Sequence, residues 1–422
     1  MKLILVLSLA FLACSQAKEV GIRRYDGYQV YSVNADTKEK YQVLWDVYMN
    51  NEGVLDFWTD PAIGKATDVM VPPQEEAAFK LLLEKNGISY EVKIGNVQEI
   101  IDEEKAENDQ ARQARSGESR IGWTAYSTYA EIESFVQDLP SINSIASVQS
   151  IGTSYENRNL YAVKISTSPN NRKAILIDAN IHAREWITSA TATWILNELV
   201  TKTAQYGEVL EGIDYYIIPS INVDGYEYSR TSDRMWRKTR SVNSGSTCRG
   251  CDPNRNFPFQ FGGEGTSSSP CSDTFKGPSA LSEKETKAVA DYVNGLLSSN
   301  VNILAYVSFH SYGQYWLLPW GYTANAYPVD YSQQLSLGNA AISAIQAVHG
   351  TRYVTGTGAD VLYGVGGASD DWAKNIGIKY TVTAEMRDTG RYGFVLPPAQ
   401  IIPNAEETMA ALTEVAKRVR SE

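Results

Sequence analysis

The stretch KAILIDANIHAREWITSATATWILNELV, residues 173–200, contains the pattern that decides the fold. It begins with an apolar run, which is typical of a strand buried on both faces of a sheet. Residues 189–205 have the spacing and length of a helix, so a short turn joins a strand to a helix. His182 and Glu185 fall in that turn, at the carboxyl end of the strand, where the functional sites of open α/β sheets gather.

The same alternation continues toward the carboxyl terminus. Apolar runs predict strands at residues 213–225, 302–312 and 378–386. Residues 281–299 and 399–419 have helical spacing. Alternating strands and helices favour an α/β fold, here a mixed, mostly parallel twisted sheet flanked by helices.

The amino-terminal part has a different pattern. Shorter strand-like and helix-like segments alternate there and predict a small α+β unit of about 80 residues. The strand-like segments are residues 25–33, 54–60 and 89–94, and the helical ones are residues 37–50 and 72–87.

A charged, helix-prone run, NVQEIIDEEKAENDQARQARSGESR, follows this unit at residues 96–120. Such a run is often a solvated linker helix. Because Arg112, Arg115 and Arg120 lie close together at a domain boundary, the run is equally compatible with a protease-sensitive hinge.

The chain begins with MKLILVLSLAFLACSQA, a basic residue, an apolar stretch and small residues. This pattern predicts a secretory signal peptide at residues 1–17 and hence a secreted, extracellular protein. A lipoprotein modified at Cys14 is the alternative. The apolar stretch is too short to span a bilayer, so no membrane association is expected.

Composition excludes several classes of protein. With 422 residues and 43% hydrophobic residues, the chain can bury more than one core and is neither fibrous nor disordered. Its 38 basic and 49 acidic residues give a net charge of −11, the wrong sign for binding nucleic acid or an anionic membrane. Small cationic substrates remain compatible with this charge.

The few histidines suggest a metal site. His182 and Glu185 form a His-x-x-Glu pair, and His310 follows another predicted strand. Two histidines and one glutamate that leave a fourth position open are a ligand set of catalytic zinc. The alternative is that both histidines are structural residues at strand ends. We interpret His349, near a helix end, as structural.

Other polar side chains lie at the ends of predicted strands or in the loops that follow. Arginines next to asparagine can hold a carboxylate through paired hydrogen bonds, and a lone glutamate after a buried strand can serve as a general base. Each residue read singly is better explained by a surface ion pair. The candidates are Arg234, Arg237, Asp252, Asn254, Arg255 and Glu385.

Taken in order, these motifs resemble the secreted metallocarboxypeptidase precursors of the pancreatic A/B family. They are HARE, NVDGYEYSRTSDRMWRKTR, CDPNRNF, FHSYGQ, YGVGGASDDW and AEMRDTGRYGFVLPPAQIIP, within residues 182–403. The resemblance implies an antiparallel α+β activation domain with its linker at residues 18–115, and a zinc carboxypeptidase domain at residues 116–422.

The resemblance also implies roles for individual residues. One zinc ion per chain would be held by His182, Glu185 and His310, with Asp252 orienting His182. Glu385 would be the general base, and Arg237 would stabilise the oxyanion. The remaining candidates would bind the substrate, namely Arg184, Arg234, Asn254, Arg255 and Tyr363.

Asp370 is the residue by which we predict specificity. In this family the residue at its position lies at the base of the side-chain pocket, and a carboxylate there resembles the B type, which removes C-terminal Lys or Arg. Gly321 and Gly358 would leave room for a long side chain, and Leu362 and Val365 would line its apolar stem. The alternative is A-type specificity for aliphatic or aromatic ends.

The cysteines fit the resemblance in part. It implies a disulfide between Cys248 and Cys271. Cys251 departs from the family pattern, and both a shuffled bridge and a free thiol are compatible with its position.

The expected partners are peptide or protein C-termini as substrates and an activating trypsin-like protease that cleaves after Arg112, Arg115 or Arg120. We expect a monomer. Two other functions are disfavoured: a binding module that does not cleave, because Glu385 and Arg237 are present, and an aminoacylase-like zinc hydrolase, because of the motif context and the pro-region.

Overall fold

The computed structural model describes residues 21–114, 121–169 and 173–422. The predicted signal peptide, with Cys14, lies outside the described residues, as do Arg115 and Arg120. No helix among the described residues is long and apolar enough to cross a membrane.

The amino-terminal unit is a small antiparallel sheet with two helices packed on it. Within the described residues its strands run in the order β2-β3-β1-β4, with every pairing antiparallel. The elements are β1 (Gln29–Asn34), α1 (Lys38–Asn50), β2 (Asp56–Phe57), β3 (Ala66–Val71), α2 (Glu76–Lys85) and β4 (Ser89–Ile94). The predicted α+β unit is confirmed, but β3 was missed because it is buried along nearly its whole length and lacks alternation.

The charged run forms helix α3 (Val97–Ala114). It is not simply a solvated linker, because Glu104 and Asn108 are buried against the larger domain. The Asn108 side-chain oxygen accepts a hydrogen bond from the backbone N–H of Tyr126 at 2.6 Å.

The larger domain is built on a mixed sheet of eight strands among the described residues. Their order is β11-β10-β12-β9-β7-β8-β6-β5. The strands are β5 (Ala146–Thr153), β6 (Asn159–Ile165), β7 (Lys173–Ala179), β8 (Ile213–Ile218), β9 (Ile303–Ser311), β10 (Tyr315–Leu318), β11 (Val354–Thr357) and β12 (Tyr380–Met386). The central strands β8, β7, β9 and β12 are mutually parallel, as predicted, and the outer pairs β5-β6, β6-β8 and β10-β12 are antiparallel.

Helices cover both faces of this sheet. They are α4 (Tyr129–Ile142), α5 (Trp186–Thr201), α6 (Gly207–Leu210), α7 (Val223–Thr231), α8 (Lys284–Ser298), α9 (Tyr331–His349), α10 (Gly358–Val361), α11 (Ser369–Asn375) and α12 (Ile401–Ser421). Alternate residues of β7 point to opposite faces. Ile175 and Ile177 pack in the core that contains α5 and α12, whereas Leu176 packs in the core that contains α8 and α11.

Candidate active site

The main cleft lies at the carboxyl ends of the central parallel strands. His182 and Glu185 are in the turn between β7 and α5, His310 is near the end of β9, and Glu385 is near the end of β12. Glu385 and His310 are direct partners in the β12-β9 register. All four side chains line one cavity. Parallel pairing therefore brings together residues that are up to 203 positions apart in the sequence.

The three predicted zinc ligands form one buried group. The candidate donor atoms of His182, Glu185 and His310 all lie within 4.8 Å of one another. The carboxylate of Glu185 is 2.7 Å from His182 Nδ1 and 3.5 Å from His310 Nδ1. His310 Nε2 is buried without a hydrogen-bond partner. Two imidazoles and a carboxylate around one point, with a buried ring nitrogen left over, fit a zinc ion.

Asp252 connects the metal group to the predicted oxyanion arginine. Its Oδ1 lies 3.1 Å from His182 Nε2 and accepts the backbone N–H of Asn254 at 2.8 Å. Its Oδ2 accepts from Arg237 Nη2 at 2.8 Å. Burial alone would raise the pKa of Asp252, but Arg237 and Arg255 lower it well below its usual range. The carboxylate is therefore ionised, and it fixes the orientation of both the imidazole and the guanidinium.

Glu385 lines the cleft beside the metal group. Burial raises the pKa of its carboxyl to about 8, and the charge of Glu185 adds to this while His310 and Arg237 oppose it. Such a pKa is that of a group able to exchange a proton near neutral pH.

The three residues of the predicted carboxylate clamp lie in the same cleft. Asn254, Arg255 and Tyr363 all line the cavity. Arg255 Nε donates to the carbonyl oxygen of Gly265 at 2.9 Å, and Asn254 Oδ1 accepts the backbone N–H of Ser369 at 2.9 Å. Both side chains are thus held in place by the backbone and still face the cleft.

The predicted side-chain pocket is part of the same cavity. Asp370 lines it together with Gly321, Gly358, Leu362 and Val365. Sequence reasoning missed two further lining residues, Leu317 on β10 and Thr383 on β12. Neither belongs to a motif with a chemical signature, so the sequence carried no signal for them.

Asp370 lines the cavity, and two more buried carboxyls, Asp371 and Asp178, interact electrostatically with it. Burial raises the pKa of Asp370, and it raises that of Asp178 to about 6. The pKa of Asp371 is raised well above its usual range by burial and by the charge of Asp370. Among the described residues, none of the three forms an ion pair with Lys, Arg or His.

One carboxylate of the amino-terminal unit reaches into the cleft. Asp60 lines the cavity and lies 3.4 Å from Arg255 Nη2. Asp60 also contributes to raising the pKa of Tyr363, after burial. The acidic excess of residues 18–115 favours an acidic contact with a clamp that binds anions, but it does not identify Asp60 as the residue that makes it.

The two predicted auxiliary arginines do not line the cavity. Arg184 is fully buried, and its Nη1 donates to both oxygens of Asp56, at 2.9 and 2.8 Å. Arg234 pairs with both oxygens of Glu104, at 2.7 and 2.9 Å. Both arginines are therefore ion-paired with carboxylates of the amino-terminal unit and of helix α3.

The remaining predicted residues lie away from the cleft. Cys248 and Cys271 form a disulfide, with an S–S length of 2.07 Å. Cys251 is buried and unpaired, which agrees with the free-thiol alternative and not with a shuffled bridge. His349 pairs with Glu406 at the surface, 2.7 Å away.

Comparisons with known proteins agree with this geometry. The zinc carboxypeptidase family model matches residues 132–411, and the carboxypeptidase activation peptide model matches residues 31–104. Carboxypeptidase A2 of Mus musculus is 40% identical over 402 residues, covering 93% of this chain and 94% of that protein. Carboxypeptidase B of Rattus norvegicus is 38% identical over 427 residues, covering 99% of each.

The fold agrees as well. The crystal structure of carboxypeptidase A from Helicoverpa armigera superposes with a TM-score of 0.86 at 28% identity, covering 94% of this chain and 98% of that one. The chain therefore belongs to the zinc carboxypeptidase family, as a carboxypeptidase zymogen with its activation peptide.

Proposed function

We propose that the mature enzyme removes C-terminal Lys or Arg from peptides and proteins, with B-type specificity. The observation that carries this proposal is Asp370, a buried carboxyl that lines the side-chain pocket and has no cationic partner among the described residues. A buried carboxylate without a partner is costly. A basic substrate side chain would supply the missing cation.

The pocket walls support a long side chain. Gly321 and Gly358 line the same cavity as Asp370 and have no side chain to fill it. Leu317, Leu362 and Val365 provide apolar surface, against which the methylenes of Lys or Arg can pack while the charged end reaches the floor.

We assign the chemistry of peptide hydrolysis to Glu385 and Arg237. The zinc ion held by the two histidines and Glu185 supplies, when bound, a Lewis acid that polarises a carbonyl and acidifies a water molecule. Glu385 takes the proton from the attacking water and passes it to the leaving amine. Arg237, held by Asp252, faces the cleft and stabilises the developing oxyanion.

The clamp accounts for exopeptidase activity. Arg255 and Asn254 bind the terminal carboxylate, and Tyr363 closes over it. A peptide bond in the middle of a chain offers no such carboxylate and would bury Arg255 without a partner, so internal bonds are rejected.

The activation unit blocks this site in the uncut chain. Asp60 is placed against Arg255, where the substrate carboxylate would bind. Arg112 lies in helix α3, and its guanidinium donates hydrogen bonds to both carboxylate oxygens of Glu131 and to the carbonyl oxygen of Tyr126. We therefore propose that a trypsin-like protease cleaves after Arg115 or Arg120 rather than after Arg112. The protein would be secreted as a monomeric zymogen.

The test is the release of the last residue from matched peptides ending in Arg, Lys, Leu or Phe. Trypsin-treated and uncut protein are compared, each with and without a zinc chelator. We expect chelator-sensitive release of Arg and Lys far above Leu and Phe after trypsin treatment. A preference for Leu or Phe would replace the B-type by the A-type assignment.

Glu385→Gln is the matched catalytic variant, since it keeps the size of the side chain and removes the base. It should retain zinc and lose on the order of 100-fold or more in kcat, the usual contribution of general base catalysis. Equal activity in this variant would contradict the role of Glu385.

A further inference from the structure

Asp371, next to the proposed specificity residue, does not line the cleft. Its side chain is buried at the start of helix α11, where both oxygens accept the backbone N–H of Gly321, at 2.9 and 3.0 Å. Asp370 and Asp371 are consecutive, yet only the first faces the pocket.

Gly321 is also held from the opposite side. Its carbonyl oxygen accepts the backbone N–H of Val365 at 2.7 Å. A Cβ added to Gly358 would lie 3.3 Å from Gly321 Cα, closer than an ordinary carbon contact. The segment around Gly321 and the segment from Gly358 to Val365, which begins with helix α10, therefore form two closely apposed pocket walls.

Keeping a carboxyl at position 371 is costly, because it is buried next to Asp370 without a cation. Burial and the charge of Asp370 raise the pKa of Asp371 well above its usual range. The hydrogen bonds from the backbone of the pocket wall to Asp371 offset this cost.

We propose that Asp371 is a positioning residue that fixes the shape of the side-chain pocket by holding Gly321, while Asp370 recognises charge. The inference deepens the proposed function and rests on this cavity being the pocket for the terminal side chain. It does not depend on whether that side chain is basic.

The test compares the cleaved, zinc-loaded enzyme on three peptides that end in Arg, Met or Ala. Met has a long uncharged side chain, so the Met-to-Ala ratio of kcat/KM reports on pocket shape and the Arg-to-Met ratio on charge. The variants are Asp371→Leu and Asp370→Asn. The first removes both acceptor oxygens beside the N–H of Gly321 and keeps a branched side chain of similar size.

We expect Asp371→Leu to lower the Met-to-Ala ratio about tenfold, mainly through KM, because the hydrogen bond to the buried N–H of Gly321 is lost. The Arg-to-Met ratio should stay within about twofold of that of the parent enzyme, as expected for a pairwise effect that leaves Asp370 in place. Asp370→Asn should do the reverse, lowering the Arg-to-Met ratio and preserving the Met-to-Ala ratio.

Each comparison is a ratio between two substrates in one preparation, so a smaller folded fraction cancels. An unchanged Met-to-Ala ratio in Asp371→Leu would overturn the proposal. A fall in the Arg-to-Met ratio would overturn it too, because Asp371 would then serve charge recognition. Loss of activity on all three peptides would also overturn it, because Asp371 would then serve the fold as a whole. Failure of the B-type assignment is read separately, from the parent enzyme preferring Met to Arg.

Discussion

Two sets of carboxyls that are wholly or largely removed from solvent differ in their partners. In the activation unit, the partly buried Asp56 and the buried Glu104 each make two hydrogen bonds to an arginine of the larger domain. At the side-chain pocket, Asp370 and its neighbours Asp178 and Asp371 have only hydroxyl or backbone partners among the described residues. A paired carboxylate holds two domains together, whereas an unpaired one is tolerated at a site where a ligand brings the opposite charge.

The largest effect is expected at the pocket floor. Replacing Asp370 with leucine removes the carboxylate that would pair with a basic side chain and adds apolar surface. The Arg-to-Leu ratio of kcat/KM in the cleaved enzyme should fall on the order of 1000-fold, since losing one partner of a buried ion pair costs about 3 to 5 kcal/mol. Steady-state kinetics on matched peptides measures it, and an unchanged ratio would place the selector elsewhere.

Glu285, on α8, sharpens the comparison because it forms no ion pair among the described residues, like the carboxyls at the pocket, but lies away from the cleft. One oxygen accepts the backbone N–H of Tyr155 at 2.9 Å, and the other has no partner. Burial raises the pKa of its carboxyl to about 7. The folded state therefore keeps a proton that the unfolded state releases.

It follows that the contribution of Glu285 to stability is fully present below its ordinary pKa of 4.5 and is lost as the pH rises through 7. The loss amounts to up to about 3 kcal/mol. Urea unfolding of the uncut protein between pH 4 and pH 8 should show this slope, and Glu285→Gln should flatten it. Parallel curves for the two proteins would refute the assignment.

Breaking one of the arginine–carboxylate pairs between the activation unit and the larger domain should have a smaller effect. It should affect the inhibition of the uncut protein rather than catalysis. Asp56→Asn leaves the buried guanidinium of Arg184 without its counter-charge and loosens the activation unit. We expect the residual activity of the uncut protein to rise by about tenfold or more, because a broken buried pair is strongly destabilising. The trypsin-treated variant serves as the control and should match the parent, because the activation unit has then been removed.

The smallest effect is expected at an exposed pair on the same helix that contributes Glu104. Lys105 and Asp109 are ion-paired on the exposed side of α3. Exposed pairs contribute little, so Asp109→Asn should change the thermal stability of the uncut protein by less than about 0.5 kcal/mol and leave its residual activity unchanged. A rise like that of Asp56→Asn would show that total charge, not pairing, keeps the activation unit docked.

The strands and motifs of the larger domain were predictable because their signals are local. A continuous apolar run such as β9 predicts a strand that is buried on both faces. A polar residue such as His310 near the end of that run indicates a functional site. Edge strands such as β5, which is only partly buried, carried no comparable signal. Asp60 was not predictable as a partner of Arg255, because nothing near it in the sequence indicates which surface it meets.

By itself, the sequence determined the central strands of the larger domain, the metal-binding residue types and the family, since short segments and motifs carry that information. Only the tertiary structure decided which carboxyls are paired. Asp56 meets Arg184 across 128 positions of sequence, whereas Asp370 and Asp371 are adjacent and face different surroundings. Charge pairing depends on distance in space and on burial, and folding sets both.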